Sequence, residues 1–499
     1  MTVSSRPRPA SPPLVLLLTS ISFFMVSLDA LVVVTALPAI HASVGGSVAT
    51  LEWAVNAYSL TFAAGIITAA ALGDRLGHRL VYVAGLALFT VASAACALAP
   101  DAAILIAARA VQGIGSAAVT PLALTILAKA FPAERRGAII GIFGGISGLA
   151  VAGGPLVGGA VVQGLDWHWI FWINVPIGVL ASAGSLRCLP AGRGAPAKLD
   201  LPAVPLIAGG AAALAWALVR VGDSGWGDGY AIGAFALGAT LLAGFVLREQ
   251  RAAEPMLPLR LFRARAFTAA SAVGFLTTGA IFSAAFLTVQ YFQLGLGYSP
   301  LATGLRLLPW TATPMVVAPL AGALADRIGT RPLMLGGALM QAAGLAWLDM
   351  MVQGGPGSYG RLVIPLVIAG VGISMVLPTF PTAVLGAAGP ADISRASGVS
   401  NTMQRFGSAF GIAIVTAVFS AAHGHLGSAA SVTVGYRPAL AVSAALSFAG
   451  AVAAMAASGR GSRAAVPGLA TVPDSATVLD SAATIVNDVA ADGAPADAL

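Results

Sequence analysis

The chain has 499 residues, of which 58% are hydrophobic and only 9% are charged, and its mean hydropathy is +0.89. Soluble domains carry roughly 25% charged residues, so this composition excludes an ordinary soluble protein and places most of the chain in lipid. The formal net charge of +7 does not indicate nucleic-acid binding, because the basic residues lie between apolar segments. Two cysteines, Cys96 and Cys188, make neither a disulfide framework nor a metal site.

A basic, proline-rich arm at residues 1–13 precedes about fourteen apolar segments, each long enough to cross a bilayer as a helix of roughly 20 residues. The first of them is too long for a signal-peptide core and lacks a convincing cleavage site, so we interpret it as a retained helix. The segments are 14–40, 50–72, 79–99, 103–128, 137–163, 168–190, 203–220, 230–248, 267–293, 301–325, 332–352, 361–388, 397–421 and 436–457. The sequence therefore predicts an all-α polytopic membrane protein, with a disordered cytoplasmic tail at 458–499.

Basic residues are concentrated on one side of the predicted membrane. If the N-terminus is cytoplasmic, the opposite side keeps only Arg220, Arg361 and Arg437. This asymmetry is the positive-inside pattern of multi-pass proteins. It predicts a protein of the cytoplasmic (inner) membrane with both termini in the cytoplasm.

A short motif occurs twice in predicted cytoplasmic turns. Leu72-Gly-Asp74-Arg75-Leu-Gly77-His-Arg79 returns as Leu324-Ala-Asp326-Arg327-Ile-Gly329-Thr-Arg331. The repeat predicts two six-helix bundles, at 14–190 and 267–457, with two inserted helices and a linker at 191–266. Parallel six-helix repeats with a site between them are a transporter architecture. The residues predicted to act in gating are Asp74, Arg75, Gly77, Arg79, Asp326 and Arg327.

Asp29 is an ionisable residue within the first apolar segment, about 15 Å from its outer end at 1.5 Å per residue. A carboxylate at that depth costs about 2.5–3.5 kcal/mol, so it must face protein or water and is suited to carry a proton. Arg109 lies about 10 Å from the same outer end, and the two residues are candidate partners, directly or through water. Gln112, one helical turn further, is a candidate polar neighbour. The structural alternative is a static ion pair, or a buried carboxyl that only bonds a neighbouring helix.

Small residues form a stripe on the segment at 137–163. Gly141, Gly145, Gly148, Ala152, Pro155 and Gly159 are spaced alternately four and three apart, which places them on one helix face. Such a face permits close helix approach in lipid, and Pro155 permits a bend. The stripe is consistent with two interpretations, static tight packing and a smooth surface along which helices move. The transporter-like repeat favours movement.

Several other polar residues enter apolar segments. Glu52 begins the second segment and is either part of an outer vestibule or solvated at the interface. Asn401 and Arg405 lie in the thirteenth segment, where Arg405 either lines a cavity or anchors the interface. With Gln112, these three are the candidates for a substrate cavity. A phosphate-binding glycine loop with its lysine is missing, so ATP is not the expected driver.

The ordered set of motifs resembles the major facilitator superfamily, specifically its fourteen-helix drug:proton antiporter branch. Residues 28–38 are similar to the branch's first-helix motif, with Leu31 and Val34 where Thr and Asn are usual. Residues 72–79 are similar to the superfamily's loop signature, with Ala70 in place of a leading Gly. Arg109-Ala-Val-Gln112-Gly113-Ile-Gly115 resembles the fourth-helix motif.

The resemblance continues further along the chain. The fifth-helix antiporter motif is matched by Gly141, Gly154-Pro155 and Gly158-Gly159, with Ala150 replacing a glycine. Residues 167–178 look like the start of the branch's sixth helix, with His168 where Arg is usual, and 298–309 are also similar. The resemblance implies proton coupling at Asp29 and Arg109. It implies conformational roles for Gly141, Gly148, Gly154, Pro155, Gly158 and Gly159.

The predicted function is proton-driven efflux of small, mostly lipophilic drugs or antibiotics by alternating access. The expected energy source is the proton gradient, without a cofactor or metal, and the expected partners are the substrate, protons and lipid, without nucleic acid. A monomer is expected. The alternatives are a dedicated exporter of one endogenous metabolite or antibiotic, a solute:proton uptake symporter, and a non-transporting membrane sensor. An enzyme is not expected, because no nucleophile–base or metal constellation is seen in the sequence.

Overall fold

The computed structural model describes residues 12–457 except 46–47, 132–135, 190–201, 253–254, 256–258, 354–358, 389–391 and 427. The predicted tail and nearly all of the predicted N-terminal arm lie outside these residues. The described chain is helical almost throughout, as expected of segments whose backbone groups must find hydrogen bonds within the helix when they lie in lipid. The predicted all-α fold is confirmed.

The described residues of the N-terminal half form seven helices. They are α1 (Pro12–Val44), α2 (Val48–Leu76), α3 (His78–Ala97), α4 (Ala102–Ala130), α5 (Arg136–Gly164), the short α6 (Trp169–Trp172) and α7 (Asn174–Cys188). Two inserted helices follow, α8 (Ala203–Ser224) and α9 (Gly229–Arg251). The inserted pair packs together, and α8 also touches α2 and a helix of the C-terminal half.

The C-terminal half begins with a 3-10 turn at Leu259–Arg263. Its helices are α10 (Arg265–Gln290), α11 (Pro300–Thr311), α12 (Thr313–Ile328), α13 (Thr330–Gln353), α14 (Gly360–Ala387), α15 (Ile393–Ala421) and α16 (Ala429–Ala456). A π-helical turn at Tyr291–Gly295 extends α10. Helices α11 and α12 make one span that is broken at Ala312.

The number of membrane-spanning helices is close to the predicted number. Twelve helical segments of the described chain are long and apolar enough to cross a membrane, and α2 is a thirteenth if its bend is allowed. Helix α5 has 29 residues, but its apolar stretch Leu149–Gly164 is shorter than these spans, so the described count is twelve or thirteen against about fourteen predicted. The last helix begins at Ala429, seven residues before the predicted start, because the Ser428 side chain caps it by accepting the Ser431 N–H at 3.2 Å.

The two copies of the repeated motif end their helices in the same way. Gly77 after α2 has φ 106° and Gly329 after α12 has φ 86°. This left-handed region is costly for residues with a Cβ, which explains why both copies need glycine there. Consecutive membrane helices run in alternate directions, so both turns lie at one end of the bundle. We call it the motif end, and the opposite end the far end.

Candidate functional site

Asp29 and Arg109 form a buried ion pair in the interior of the N-terminal half. Nη1 of Arg109 donates to Oδ2 of Asp29 at 2.6 Å. Asp29 is 3% exposed and Arg109 is fully buried. The contact predicted from depth along α1 and α4 is therefore present and direct.

Three neutral side chains complete the network around this pair. Nε2 of Gln112 donates to Oδ1 of Asp29 at 3.0 Å and to Oγ of Ser93 at 2.7 Å. Nδ2 of Asn174 also donates to Oδ1 of Asp29, at 2.9 Å. The carboxylate thus accepts three hydrogen bonds, from Arg109, Gln112 and Asn174, which offset the cost of removing its charge from water.

Arg109 also contacts a backbone carbonyl and two aromatic rings. Its Nε donates to the Ala54 carbonyl at 3.0 Å, and its guanidinium lies 4.2 Å from the ring centre of Tyr58 and 5.9 Å from that of Phe171. In the part of the chain that the structure describes, its buried Nη2 has no hydrogen-bond partner. The charge of Arg109 is therefore balanced by one acid, Asp29, with ring faces around it.

The polar support of Asp29 comes from helices other than α1. The sequence has Leu31 and Val34 where the family motif has polar residues, and the missing support is provided by Gln112 on α4 and Asn174 on α7. Asn174 lies within the family motif at 167–178, but neither it nor Ser93 is predicted as a site residue. The available signals are an amide two residues before Pro176 and a serine within an otherwise apolar segment.

A hydrogen-bonded turn and the short helix α6 precede Asn174 and α7. The backbone N–H of His168 bonds the Asp166 side chain at 2.9 Å, and the His168 ring contacts the same carboxylate. The backbone bond is the main cause that holds the pKa of Asp166 below its usual range. Trp167 packs edge-on against Phe171, so the turn and the short helix α6 are anchored directly before α7 begins.

A central cavity of about 220 Å³ lies between the two halves. Helix α1 borders it with Ala30, Leu31 and Val34, on the side away from Asp29. The lining residues are Ser27, Ala30, Leu31, Val34, Thr35, Val151, Pro155, Thr278, Ile281, Phe282, Ala285, Val289, Leu307, Trp310, Thr311, Pro314, Ile373, Leu377, Gln404, Arg405 and Ser408. The same helix thus contacts the ion pair on one face and the cavity on the other.

Arg405 is the predicted cavity residue that does line the cavity. Its guanidinium lies 4.2 Å from the ring centre of Phe62 on α2. Phe62 in turn packs edge-on against Tyr58 with ring centres 5.7 Å apart. A continuous series of ring contacts therefore connects Arg109 with Arg405 through Tyr58 and Phe62.

The other three candidates for the cavity lie elsewhere. Gln112 belongs to the ion-pair network. Glu52 is fully buried and accepts a hydrogen bond from Asn56 at 2.7 Å, so both its expected solvation at the interface and its expected place in a vestibule are wrong. Asn401 is exposed and donates to the Ser397 backbone carbonyl at 3.0 Å. The surroundings of all three residues depend on the rotation of each helix about its axis. The depth of a residue along the helix does not give this rotation.

Small residues of α5 bring the two halves together at the far end. A Cβ added at Gly159 would collide with the Pro300 carbonyl oxygen, and one added at Gly304 would collide with that of Pro155. Gly154 and Gly158 face α1 instead, against Leu31 and Val32. Nothing is described of the surroundings of Gly141, Gly145 and Gly148, so that part of the predicted stripe lies outside the described side chains.

Two further contacts join the halves at the far end. Nε2 of Gln293 donates to the Thr35 carbonyl at 2.9 Å, and the Leu301 N–H donates to the Gln163 side chain at 3.2 Å. Glycine-to-backbone contact and these bonds close the far end above the cavity.

The repeated turns differ in their side-chain contacts. In the first copy, the His78 ring lies 3.0 Å from Asp74, and Arg79 donates to the Leu189 carbonyl at 3.1 Å. In the second copy, Asp326 and Arg327 are on the surface of the turn. Gating by these residues and by Arg75 remains a prediction.

Comparison with known proteins agrees with the fold and the motifs. The sequence matches the Major Facilitator Superfamily over residues 19–412 and 310–481. It is 34% identical over 403 residues to the tetracenomycin C resistance and export protein of Streptomyces glaucescens, covering 80% of this chain and 74% of that protein. It is also 34% identical over 414 residues to the multidrug resistance protein Stp of Mycobacterium tuberculosis, covering 82% and 76%.

A solved structure supports the same architecture. The peptide transporter POT in complex with sulfate superimposes with a TM-score of 0.64 at 17% identity, covering 90% of this chain and 95% of that one. At this identity the likeness concerns the fold alone. Fold, motifs and sequence matches together establish that the chain belongs to the Major Facilitator Superfamily, among relatives named for antibiotic and multidrug resistance.

Proposed function

We propose that this protein exports small drug or antibiotic molecules across the cytoplasmic membrane in exchange for protons, by alternating access. The observation that carries the proposal is the buried Asp29–Arg109 pair, at 2.6 Å, on the helix that also borders the central cavity. Relatives named for tetracenomycin C export and for multidrug resistance support the efflux direction.

The buried pair gives protonation a structural consequence. A proton bound at Asp29 removes the negative charge that balances Arg109. An uncompensated buried charge is strongly unfavourable, so the protonated pair favours a rearrangement that brings water or another acceptor to Arg109. Release of the proton restores the ion pair and the packing of α1 against α4.

Helix α1 links this rearrangement to the cavity. Ala30 and Leu31 border the cavity, next to Asp29 in the chain. Movement of α1 that separates Asp29 from Arg109 therefore changes the shape of the substrate cavity as well. With the motif end in the cytoplasm, the contacts of Gln293, Leu301 and Gly159 close the extracellular end in the described state.

The proton gradient is sufficient to drive such a cycle. One charge that crosses 100 mV provides about 2.3 kcal/mol. That energy changes the ratio of two conformations by roughly fifty-fold. Exchange of substrate for one or a few protons therefore biases the cycle towards export.

The test is transport in proteoliposomes with a chemically varied compound panel and the Asp29→Asn variant. The native protein should move at least one compound in counterflow without a gradient, and should accumulate it against its concentration when a pH gradient is imposed. Asp29→Asn should retain measurable counterflow, which reports folding and substrate passage, and should lose gradient-driven accumulation together with substrate-induced proton flux.

A matched control comes from the C-terminal half. Gln341 is also fully buried and bonds across helices, donating to the Thr277 carbonyl at 3.0 Å, but it is uncharged. Gln341→Leu should retain accumulation. Undiminished gradient-driven accumulation in Asp29→Asn would contradict the role of Asp29 in proton coupling. Proton flux in the same direction as substrate would indicate a symporter. If no compound is transported, the sensor alternative is favoured.

A further inference from the structure

We propose that the central cavity selects substrates that carry an anionic oxygen group on an apolar, ring-bearing body, and that Arg405 binds this group. The proposal rests on the export function proposed above and specifies its substrate class. It concerns specificity rather than coupling, because Asp29 and Arg109 lie on the other side of α1.

The charges at the cavity are the first observation. Among the lining residues of the described chain, Arg405 is the one charged side chain and none is acidic. A cavity that bound cations would need a carboxylate or a set of acceptors to replace the water removed from the ligand. Here the fixed charge is that of Arg405, so an anionic ligand is attracted and a cationic ligand is repelled.

Unpaired hydrogen-bond donors are a second, independent observation. The Oγ1 atoms of Thr35 and Thr278 and Nε1 of Trp310 belong to lining residues, and none of the three finds a partner in the described chain. All three residues are at least nine-tenths buried. The indole N–H can only donate, and each buried donor without a partner costs free energy until a ligand or water supplies an acceptor. Each half of the protein therefore contributes at least one buried donor without a partner to the residues around the cavity.

The packing of Arg405 keeps its donors available. Its guanidinium is stacked on Phe62, and stacking holds the plane of the guanidinium without using its N–H groups. In the described part of the chain, Arg405 has no ion-pair partner. A guanidinium held in this way can bind a carboxylate with two parallel hydrogen bonds.

The remaining lining describes the body of the ligand. Ile281, Phe282, Val289, Leu307 and Trp310 present apolar and aromatic surface from the C-terminal half. An apolar, flat body gains from burial against this surface. The combined chemistry is that of an aromatic carboxylate or an acidic phenol.

Binding of matched probes tests the proposal without any proton gradient. The native protein in phosphatidylcholine nanodiscs is titrated with naphthalene-2-carboxylate, with its neutral amide 2-naphthamide, and with the cation 2-naphthylmethylammonium. Empty nanodiscs correct for partition into lipid. The carboxylate should bind at least about tenfold more tightly than the amide or the cation, as expected for a charge-assisted hydrogen bond in a buried site.

Variants locate the preference. Arg405→Gln should remove the difference between carboxylate and amide while leaving the affinity for the amide nearly unchanged. Arg405→Lys, which keeps the charge, should retain part of the difference, and Phe62→Leu should reduce it by roughly fivefold because the stacking is lost. Arg306→Gln is the matched control, since Arg306 stacks on Tyr298 outside the cavity lining and should keep the full preference.

Three results would overturn the proposal: a native protein that binds amide and carboxylate equally, a preference that survives Arg405→Gln, or no binding of the carboxylate at all. Monodisperse elution of each variant verifies folding. Failure of the export function, seen as missing gradient-driven transport, is a separate result because it leaves the binding preference in place.

Discussion

The two halves of the molecule use the same packing and different chemistry. In the N-terminal half, α3 and α4 approach closely at Gly85 and Gly115, and in the C-terminal half α13 and α14 do so at Gly344 and Gly372. In each case an added Cβ would collide with atoms of the neighbouring helix, its backbone included. The helices of both halves are therefore held at backbone distance by small residues, which is how membrane helices gain contact without a hydrophobic driving force.

The interiors of the halves differ in charge. The N-terminal half buries Asp29 and Arg109. The described interior of the C-terminal half is joined by neutral bonds, between Ser283 and Ser443 and between Thr288 and Tyr436, each at 2.9 Å. A duplicated scaffold thus carries a buried acid–arginine pair in its N-terminal half and neutral bonds at the described centre of the other. We infer that the N-terminal half responds to protons while the other mainly contributes the cavity wall and the opposing surface.

The largest expected effect is on the charged interior. Arg109→Gln leaves Asp29 without its counter-charge, and breaking a buried pair costs about 3–5 kcal/mol. Gln341→Leu removes one neutral bond in the other half, which costs about 1 kcal/mol. The apparent melting temperature of the purified protein should therefore fall much further in Arg109→Gln than in Gln341→Leu.

A double variant separates charge from shape. Asp29→Asn combined with Arg109→Gln removes both charges and should recover most of the lost thermal stability, without recovering gradient-driven transport. Equal destabilisation by Arg109→Gln and Gln341→Leu would show that the two interiors are energetically equivalent and that the contrast is not significant.

The second effect concerns the surface that the halves share. Gly159 and Gly304 occupy reciprocal positions, each against the backbone of the other half. Leucine at either position overpacks the contact by about 1–3 kcal/mol, so Gly159→Leu and Gly304→Leu should each slow counterflow by roughly tenfold. Initial counterflow rates at equal reconstituted protein amounts measure this.

Gly153→Leu is the matched control on the same helix, because a Cβ added there meets no atom within 4 Å. Its counterflow should be close to native. A slow Gly153→Leu, or a normal rate in both other variants, would mean that close approach at the far end is not required during the cycle.

The smallest effect sharpens the description of the charged half. Asn174→Ala removes one donor to the Asp29 carboxylate. Loss of one neutral donor to a buried carboxylate costs about 1–3 kcal/mol, so the apparent melting temperature of the purified protein should fall, though by less than in Arg109→Gln. Ser93→Ala should lower it less, because Ser93 contacts the amides of Gln112 and Asn174 rather than Asp29. A native melting temperature in Asn174→Ala would contradict the arrangement.

Depth in the membrane is predictable from the sequence, and rotation is not. The rise of a helix gives the depth of each residue, so Asp29 and Arg109 are recognisable as partners. Glu52 is placed at the correct end of α2, but its burial beside Asn56 depends on how α2 packs. Gln112 is predicted both as a neighbour of Arg109, which is correct, and as a cavity residue, which is wrong. Asn174 lies in a recognised motif, but its bond to Asp29 is not predicted, because that bond depends on the contact of α7 with α1.

The lipid environment, the approximate number of helices, the repeated glycine turns and the buried acid with its arginine could all be predicted from the amino-acid sequence. These features depend on composition, length and spacing along one helix, which are local properties. Three features are visible in the folded protein alone. Asp29 and the cavity lie on opposite faces of α1, Gly159 meets the C-terminal half at the far end, and Arg405 stacks on Phe62. These features depend on the rotation and contact of helices distant in the chain, which small differences in packing decide and no local pattern encodes.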